Sequence, residues 1–322
     1  MKRKINLQTL MAPAALIVLV IFFSITGKNF FSVDTVRQVL QSCYYIGYMA
    51  FGVTFVIITG GIDLSLGSNM LCSALLGGVA YKVWGWPLPL ALVFVLCVGL
   101  FFGLCNGLMI AKLKLPPFIA TLGTQMITLG FGSIVSRVQT MYYPTIGSED
   151  EWFRSVFYIH DNFPTGALWL LGAFAVAWFL LNKTRFGRYA FAIGSNEEAT
   201  RLSGVKVDKW KIAVYAVCGL FTAMAGIFYG AAYTTIMPGK GNGEEMNGIA
   251  AVVIGGTSMA GGSGSMFGTL LGVLVMAVLK KGLASVGLQA RWQTFFTGFV
   301  VIGAVLLDSL LSRAALRGAK KG

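Results

Sequence analysis

The segment LPLALVFVLCVGLFFGLCNGLMIA, residues 88–111, contains no charged side chain. A helix of this length rises about 36 Å, enough to cross the roughly 30 Å hydrocarbon layer of a membrane. Lipid offers no hydrogen-bond partners to a backbone, so a segment that crosses it must satisfy its own N–H and C=O groups as a helix. Gly99, Gly103 and Gly107 stand one turn apart, and this spacing predicts close packing against a neighbouring helix.

The whole chain has this apolar character. Of its 322 residues, 56% are hydrophobic and 11% charged, whereas soluble domains carry roughly a quarter charged residues. We predict an all-α membrane protein, a polytopic bundle of about ten transmembrane helices that forms one domain over residues 1–322. The predicted helices are 9–26, 36–59, 66–83, 88–111, 117–138, 166–182, 211–233, 246–257, 266–285 and 292–311. The segment 246–257 has barely ten apolar residues, so a re-entrant or tilted piece is the alternative there.

The distribution of basic residues predicts the orientation. If the N-terminus is cytoplasmic, most of the 25 Lys and Arg residues fall in cytoplasmic loops, as the positive-inside rule requires, and both termini are cytoplasmic. Lys280 and Lys281 are exceptions near an outer helix end, where they are expected to snorkel to the interface. The orientation explains the net charge of +13, and without a basic stripe interleaved with aromatic residues we expect no nucleic-acid partner.

Enzyme signatures are missing from the sequence. The single histidine, His160, falls in an outer loop, and neither an H-E-x-x-H nor a G-x-S-x-G pattern occurs. We therefore predict a transport subunit without catalytic or metal-binding residues. The sequence also has no Walker A pattern, so ATP and Mg²⁺ would be bound by a partner chain and this chain would carry no cofactor. The predicted spans are almost free of charge, which argues against coupling to protons or sodium.

The polar stretch IGSNEEATRLSGV, residues 193–205, lies between two long apolar regions. Ser195 and Glu198 form a capping-box pattern, and Gly204 suits the left-handed residue after a helix. The pattern predicts a helix of about eight residues, Asn196 to Ser203, which is too short to be stable alone in water. The only sizeable apolar residue of this helix is Leu202, and the helix is not rich in Lys or Arg. These features favour docking against a partner protein over lying on lipid.

Two glycine-rich turns lie on the predicted cytoplasmic side. They are GGIDLSLGS, residues 60–68, and GGTSMAGGSGS, residues 255–265. Asp63 and Ser65 precede the third predicted helix, where a side-chain oxygen can satisfy free backbone N–H groups. They are therefore the candidate N-caps of that helix.

Several of these blocks together resemble a known family. NKTRFGRYAFAIGSNEEATRLSGVKV, residues 182–207, is similar to the cytoplasmic loop of permeases in the ribose, xylose, arabinose and galactoside group of bacterial ABC importers. VTFVIITGGIDLSLGS (53–68), LPPFIATLGT (115–124) and IAAVVIGGTSMAGGSGSMFGTLLGVL (249–274) resemble further blocks of this family in the same order. The resemblance covers nearly the whole chain.

The resemblance implies a type II ABC importer-like permease in the bacterial inner membrane that moves a pentose or hexose into the cytoplasm by alternating access. It implies three protein partners besides membrane lipid: a cytoplasmic ABC ATPase, a periplasmic sugar-binding protein, and a second permease copy or paralogue. The cytoplasmic loop, about 183–210, would couple to the ATPase. Its candidate coupling residues are Ser195, Asn196, Glu197, Glu198, Arg201, Leu202 and Gly204.

The candidate pathway or gate residues are Asn106, Thr121, Thr124, Gln125 and Glu245. The first four could equally make hydrogen bonds within the helix packing. The family usually has Glu-Leu-Asp-Ala before IAAVVIGG, whereas this chain has Glu245, Met246, Asn247 and Gly248. A charge-dependent role is therefore not expected at position 247.

Two other functions are compatible with the residues. A stand-alone channel or facilitator for a small polar solute would also need few buried charges, and an intramembrane enzyme is the third alternative. The outer loop, residues 139–165, mixes acidic and aromatic residues. This mixture is typical of an aromatic belt and also suits docking of a binding protein.

Overall fold

A computed structural model describes residues 7–289 and, beyond them, residues 292, 294–300, 302, 303 and 306. The long helices are α1 (Leu7–Thr26), α2 (Val33–Ile58), α3 (Leu66–Lys82), α4 (Leu88–Ala111) and α5 (Pro117–Val135) in the first half. The second half contains α6 (Trp152–Phe157), α7 (Thr165–Lys183), α8 (Arg185–Ser195), α9 (Glu197–Leu202), α10 (Val207–Tyr233), α11 (Glu244–Ile254) and α12 (Met266–Ser285). Two short strands, β1 (Met141–Tyr142) and β2 (Thr235–Ile236), pair antiparallel. The prediction of a helical protein is confirmed.

Six of the described helices are long and apolar enough to cross a membrane: α2, α4, α5, α7, α10 and α12. The number of about ten spanning helices is therefore confirmed only in part. The described apolar part of α1 is Ala12–Thr26, and α3 has 17 residues. With 11 residues, α11 rises about 16 Å, roughly half of the hydrocarbon layer. Of the tenth predicted helix, 292–311, the structure describes residues 292, 294–300, 302, 303 and 306, all of them helical, and the others lie outside the described residues.

The core is organised around α2 and α10. Almost all of the apolar window of α2 is buried, and α10 packs along both α2 and α4. A Cβ atom added at Gly103 of α4 would lie 2.5 Å from the carbonyl oxygen of Tyr215, and one at Gly219 of α10 would lie 2.3 Å from that of Gly99. The glycine spacing on α4 therefore serves packing between helices of one chain, as predicted, because a larger residue would separate the two backbones.

The β1–β2 ribbon and α6 form a small cap over the predicted outer ends of the bundle. This cap was not predicted from the sequence. Tyr143 is 2% exposed, stacks on Phe153 with ring centroids 5.3 Å apart, and donates a 2.8 Å hydrogen bond to the carbonyl of Ala74. Arg154 of α6 donates to the carbonyl of Ala231 near the end of α10. These contacts fix the outer loop on the helices beneath it.

Candidate functional site

The predicted coupling loop contains two helices rather than one. The first, α8, begins after Thr184, whose hydroxyl accepts a 3.1 Å hydrogen bond from the amide of Phe186. It buries Gly187, Ala190 and Ile193, which recur every three residues and so lie on one face. This spacing and the N-cap threonine are the signals by which the sequence could have revealed α8.

The second helix, α9, starts one residue later than predicted and is shorter. Asn196 is its N-cap, since the Asn196 side-chain oxygen accepts a 2.9 Å hydrogen bond from the amide of Ala199. The predicted capping box of Ser195 and Glu198 is wrong because Ser195 is the last residue of α8. An asparagine with extended backbone replaces it in that role. The helix has six residues, not eight.

The prediction for Gly204 at the end of α9 is confirmed. Its φ is +82°, and its amide donates to the carbonyl of Arg201 at 3.0 Å. The amide of Val205 reaches back to the carbonyl of Thr200 at 3.4 Å. This pair of bonds is the Schellman arrangement, which stops the helix and reverses the chain toward α10.

Ion pairs attach α9 to neighbouring elements of its own chain. Glu197 binds Lys211 of α10 at 2.6 Å and Arg201 at 3.1 Å. Arg201 also contacts Asp208 at 3.3 Å, and Lys114, between α4 and α5, contacts the same carboxylate at 3.0 Å. Partial burial alone would raise the pKa of Glu197, but the hydrogen bonds and charges of Lys211 and Arg201 outweigh it and lower this pKa.

The other side of α9 is exposed in the described part of the chain. Glu198 is exposed, and Leu202 exposes 84% of its surface. Four of the candidate coupling residues therefore form two pairs: Glu197 and Arg201 hold the helix to its own chain, whereas Glu198 and Leu202 are available to a partner. A helix of six residues needs a further contact to be stable, and the predicted docking through Leu202 would supply one.

Gly194 and Ser195, at the junction of α8 and α9, form an elbow in the chain that packs against both glycine-rich turns. A Cβ atom at Gly194 would lie 1.8 Å from the carbonyl oxygen of Ile58 and 2.5 Å from the amide nitrogen of Gly262. The amide of Gly262 itself donates a 2.9 Å hydrogen bond to Ile58, and Gly261 packs against Gly60. We call Gly60, Gly194, Gly261 and Gly262 the glycine joint. It connects the elbow to the end of α2 and to the turn between α11 and α12.

Asn106 and Thr124, two candidate pathway residues, are joined in a buried polar network. Thr124 donates a 2.6 Å hydrogen bond to the side-chain oxygen of Asn106, and Asn106 donates to the hydroxyl of Ser65 at 3.0 Å. Ser65 in turn gives its amide and hydroxyl to Asp63 at 2.9 and 2.6 Å. Ser65 does stand at the N-cap position of α3, but neither it nor Asp63 caps that helix by side chain. Asp63 instead closes the preceding turn.

Gln125 and Glu245 form a second buried pair. Gln125 donates to Glu245 at 3.2 Å and to the side-chain oxygen of Asn242 at 3.0 Å. Both oxygens of Glu245 accept from the amide of Gly243 at 3.0 Å. Thr121 lies one turn earlier on α5 and donates only to the carbonyl of its own helix at Pro117. The five candidate pathway residues are all buried within the chain, and their role along a pathway stays a prediction.

An ion pair inside the bundle was not predicted from the sequence. Lys280 of α12 donates to the hydroxyl of Tyr45 at 2.6 Å and lies 3.4 Å from Glu244, the first residue of α11. Asn247 donates to the same Glu244 carboxylate at 2.7 Å. Tyr45 lies midway along α2, so the spans are not charge-free here. Snorkelling of Lys280 to the interface stays a prediction. A lysine in an otherwise apolar segment was the available signal.

Comparisons with known proteins agree on one class. The model of a family described as branched-chain amino acid transport system / permease component matches residues 35–305. The ribose import permease protein of Escherichia coli (strain K12) is 38% identical, over 92% of this chain and 92% of its own length. The fructose import permease protein of Rhizobium meliloti is 35% identical over 94% and 87%, respectively.

The xylose transport system permease protein of Escherichia coli (strain K12) is also similar. It is 33% identical, over 97% of this chain and 94% of its own length. All three relatives are named as transport subunits, in agreement with the prediction that this chain is not an enzyme.

Proposed function

This chain belongs to the permease family described as branched-chain amino acid transport system / permease component, and we propose that it is the membrane subunit of an ATP-driven ABC importer for a pentose or hexose. The substrate class is supported by three relatives of at least 33% identity, which are named for import or transport of ribose, fructose and xylose. In this proposal a separate ABC ATPase binds ATP and Mg²⁺, and a periplasmic binding protein delivers the sugar.

The observation that carries the proposal is the two-sided environment of α9. One side is fixed to α10 by the 2.6 Å contact between Lys211 and Glu197, and the other presents Glu198 and the 84% exposed Leu202. A segment with this arrangement can bind a partner through the exposed side and pass its displacement to the bundle through the fixed side. The partner we propose is a groove on the ATPase.

The mechanism we propose is alternating access. When ATP closes the two ATPase subunits, each α9 moves with the groove that holds it. The movement is passed to α10 by the Lys211–Glu197 pair and to α2, α11 and α12 by the glycine joint. Close-packed interfaces shift between discrete arrangements rather than deform continuously, so a small displacement at α9 can change which side of the bundle is open.

The remaining partners and the orientation belong to the same proposal. A second permease copy, or a paralogue, completes the translocation pathway, and the binding protein docks on the side that carries the β1–β2 ribbon and α6. The loop of α8 and α9 faces the cytoplasm, and so do both termini. The positive-inside distribution of Lys and Arg supports this orientation in the bacterial inner membrane.

The proposal is tested by assembly with the ATPase. The chain is co-expressed with candidate ABC ATPases and sugar-binding proteins from the same genome, and ATPase recovery and ATP-dependent uptake of ribose, xylose and fructose are measured. Leu202→Asp and Glu198→Arg are expected to abolish ATPase recovery. Ile146→Asp and Glu149→Arg make the same changes at exposed positions of the outer loop and should leave it intact. Wild-type assembly in both Leu202→Asp and Glu198→Arg would refute the coupling assignment.

Uptake also distinguishes the alternative function. A stand-alone channel or facilitator would equilibrate sugar down its gradient without ATP or a partner chain. The proposed importer should accumulate sugar against its gradient only when the ATPase and ATP are both present.

A further inference from the structure

The ion pair of Lys280 and Glu244 lies at an unusual place in the bundle. Its contact with Tyr45 puts it beside the middle of α2, and both charged side chains are roughly 30% exposed. Ionisable groups inside a membrane protein are costly, and they usually face a cavity on a substrate or ion pathway. A pair held there without a cavity would gain little, since apolar side chains pack as well at lower cost.

A cavity of about 460 Å³ opens beside this pair, and a group of polar side chains forms one part of its otherwise largely apolar wall. Its polar lining includes Asn242, Glu244, Asn247, Lys280 and Thr297, and its apolar lining includes Met246 and Ile302. The volume falls within the range of small-molecule sites. A second cavity of about 210 Å³ shares Lys280 and is lined by Gln38 and Lys281, near the predicted outer ends of α2 and α12.

The larger cavity is connected to the candidate pathway residues. Asn242 lines it and accepts the 3.0 Å hydrogen bond of Gln125, and Gln125 also binds Glu245, which follows the cavity residue Glu244. The half-length helix α11 begins at the cavity wall with Glu244. Helices that begin inside a membrane commonly mark binding sites in transporters because their first turns point backbone N–H groups into the bundle.

We propose that this cavity is a sugar-binding site within the permease. Each sugar hydroxyl is both a donor and an acceptor, and the wall offers donors on Lys280 and the amides together with acceptors on Glu244, Asn242 and Asn247. The charges of Glu244 and Lys280 cancel, which suits a neutral solute. The inference rests on the proposed function and assigns its substrate contacts.

Equilibrium binding of radiolabelled ribose, xylose and fructose to the purified permease–ATPase complex, without the binding protein, tests the inference. We expect saturable binding of at least one of these sugars and none of leucine. Asn247→Ala and Glu244→Gln should each weaken sugar binding about tenfold, the size of one lost hydrogen bond to a charged or well-placed partner. Lys281→Met is the control, because Lys281 neighbours Lys280 but does not line the larger cavity. Thr297→Val is a milder variant if a charge change prevents assembly.

The outcomes separate the two proposals. If the wild-type importer accumulates a sugar but the complex shows no saturable sugar binding, or binding unchanged in Asn247→Ala, Glu244→Gln and Thr297→Val, the cavity is not the site and the importer assignment stands. Saturable leucine binding that these variants weaken would overturn the sugar assignment of the cavity. If the wild type transports none of the three sugars with any ATPase, the proposed function itself fails.

Discussion

The ammonium group of Lys211 on α10 lies 2.6 Å from a carboxylate oxygen of Glu197 on α9. Only 19% of the Lys211 side chain is exposed, so this pair is less screened by water than an ordinary surface ion pair. Glu198, the next residue, is exposed. Neighbouring glutamates therefore have different tasks: one holds α9 to the bundle and the other is available to a partner.

Lys211→Met should uncouple ATP hydrolysis from transport. The docking side of α9 is unchanged, so the ATPase should still be recovered with the permease, but its movement would no longer reach α10 through an ion pair. We expect several-fold less sugar imported per ATP hydrolysed, measured in proteoliposomes. Lys209→Met is the matched control, because Lys209 lies two residues earlier on α10 and is exposed. An equal ratio in the two variants would contradict the role of Lys211.

The attachment of α9 should weaken in acid. Because the pKa of Glu197 is lowered in the folded protein, its stabilising effect is complete above the ordinary value of 4.5 and is lost as the pH falls below it. Hydrogen exchange of the α9 amides, corrected for the intrinsic rate, should therefore increase below this pH. Glu197→Gln should reduce this dependence and show weaker protection at neutral pH; the remaining part is expected from Asp208, which pairs with Arg201 and whose pKa is also lowered. A wild-type pH profile in Glu197→Gln would assign the titration to another group.

Gly194→Ala should disrupt the glycine joint. The new methyl group would lie 1.8 Å from the carbonyl oxygen of Ile58, so the elbow must move away from α2. We expect a loss of about 1–3 kcal/mol of stability, seen as a lower melting temperature in detergent, together with reduced uptake. Gly172→Ala on α7 is the control, since no atom of the described residues lies within 4 Å of the added carbon and alanine favours a helix by up to about 1 kcal/mol. Equal melting temperatures in the two variants would contradict the close packing.

Asn106→Leu should destabilise the bundle more than Thr121→Val. Asn106 is fully buried and binds both Ser65 and Thr124, so its loss leaves two buried hydroxyl groups without this partner at about 1–3 kcal/mol in total. Within the described part of the chain, Thr121 donates to a carbonyl of its own helix. Because Asn106 and Thr124 are in direct contact, the double variant Asn106→Leu/Thr124→Val should cost less than the sum of the single changes. Additive losses in thermal unfolding would show that the two side chains act independently.

Local patterns in the sequence predicted the parts of the fold that depend on local physics. Charge-free segments predicted the long helices, the spacing of Gly99 and Gly103 predicted close packing, and Gly204 predicted the end of α9. The start of α9 was predicted at the wrong residue because Ser195 and Asn196 are both good N-caps. Which of them serves depends on where α8 ends.

The pairing of Lys280 with Glu244 could not be predicted from local patterns. The two residues are 36 positions apart, and they meet only because α11 is a half-helix that packs against α12 with Gly272 against Ala251. Hydropathy assigned Lys280 to a helix end, since a lysine beside lipid must reach the interface. Instead, the ammonium group of Lys280 contacts the carboxylate of Glu244 and the phenol of Tyr45 inside the bundle. The same limit applies to the glycine joint, whose members come from three separate segments.

The most direct test of the coupling role of α9 is ATP-dependent sugar accumulation in proteoliposomes that contain the permease, its ATPase and the binding protein. We expect the wild type to accumulate ribose, xylose or fructose against its gradient with ATP, and Leu202→Asp to abolish both accumulation and ATPase recovery, while Ile146→Asp retains ATPase recovery. Accumulation by Leu202→Asp at the wild-type rate, or sugar entry through the permease alone without ATP, would contradict this role.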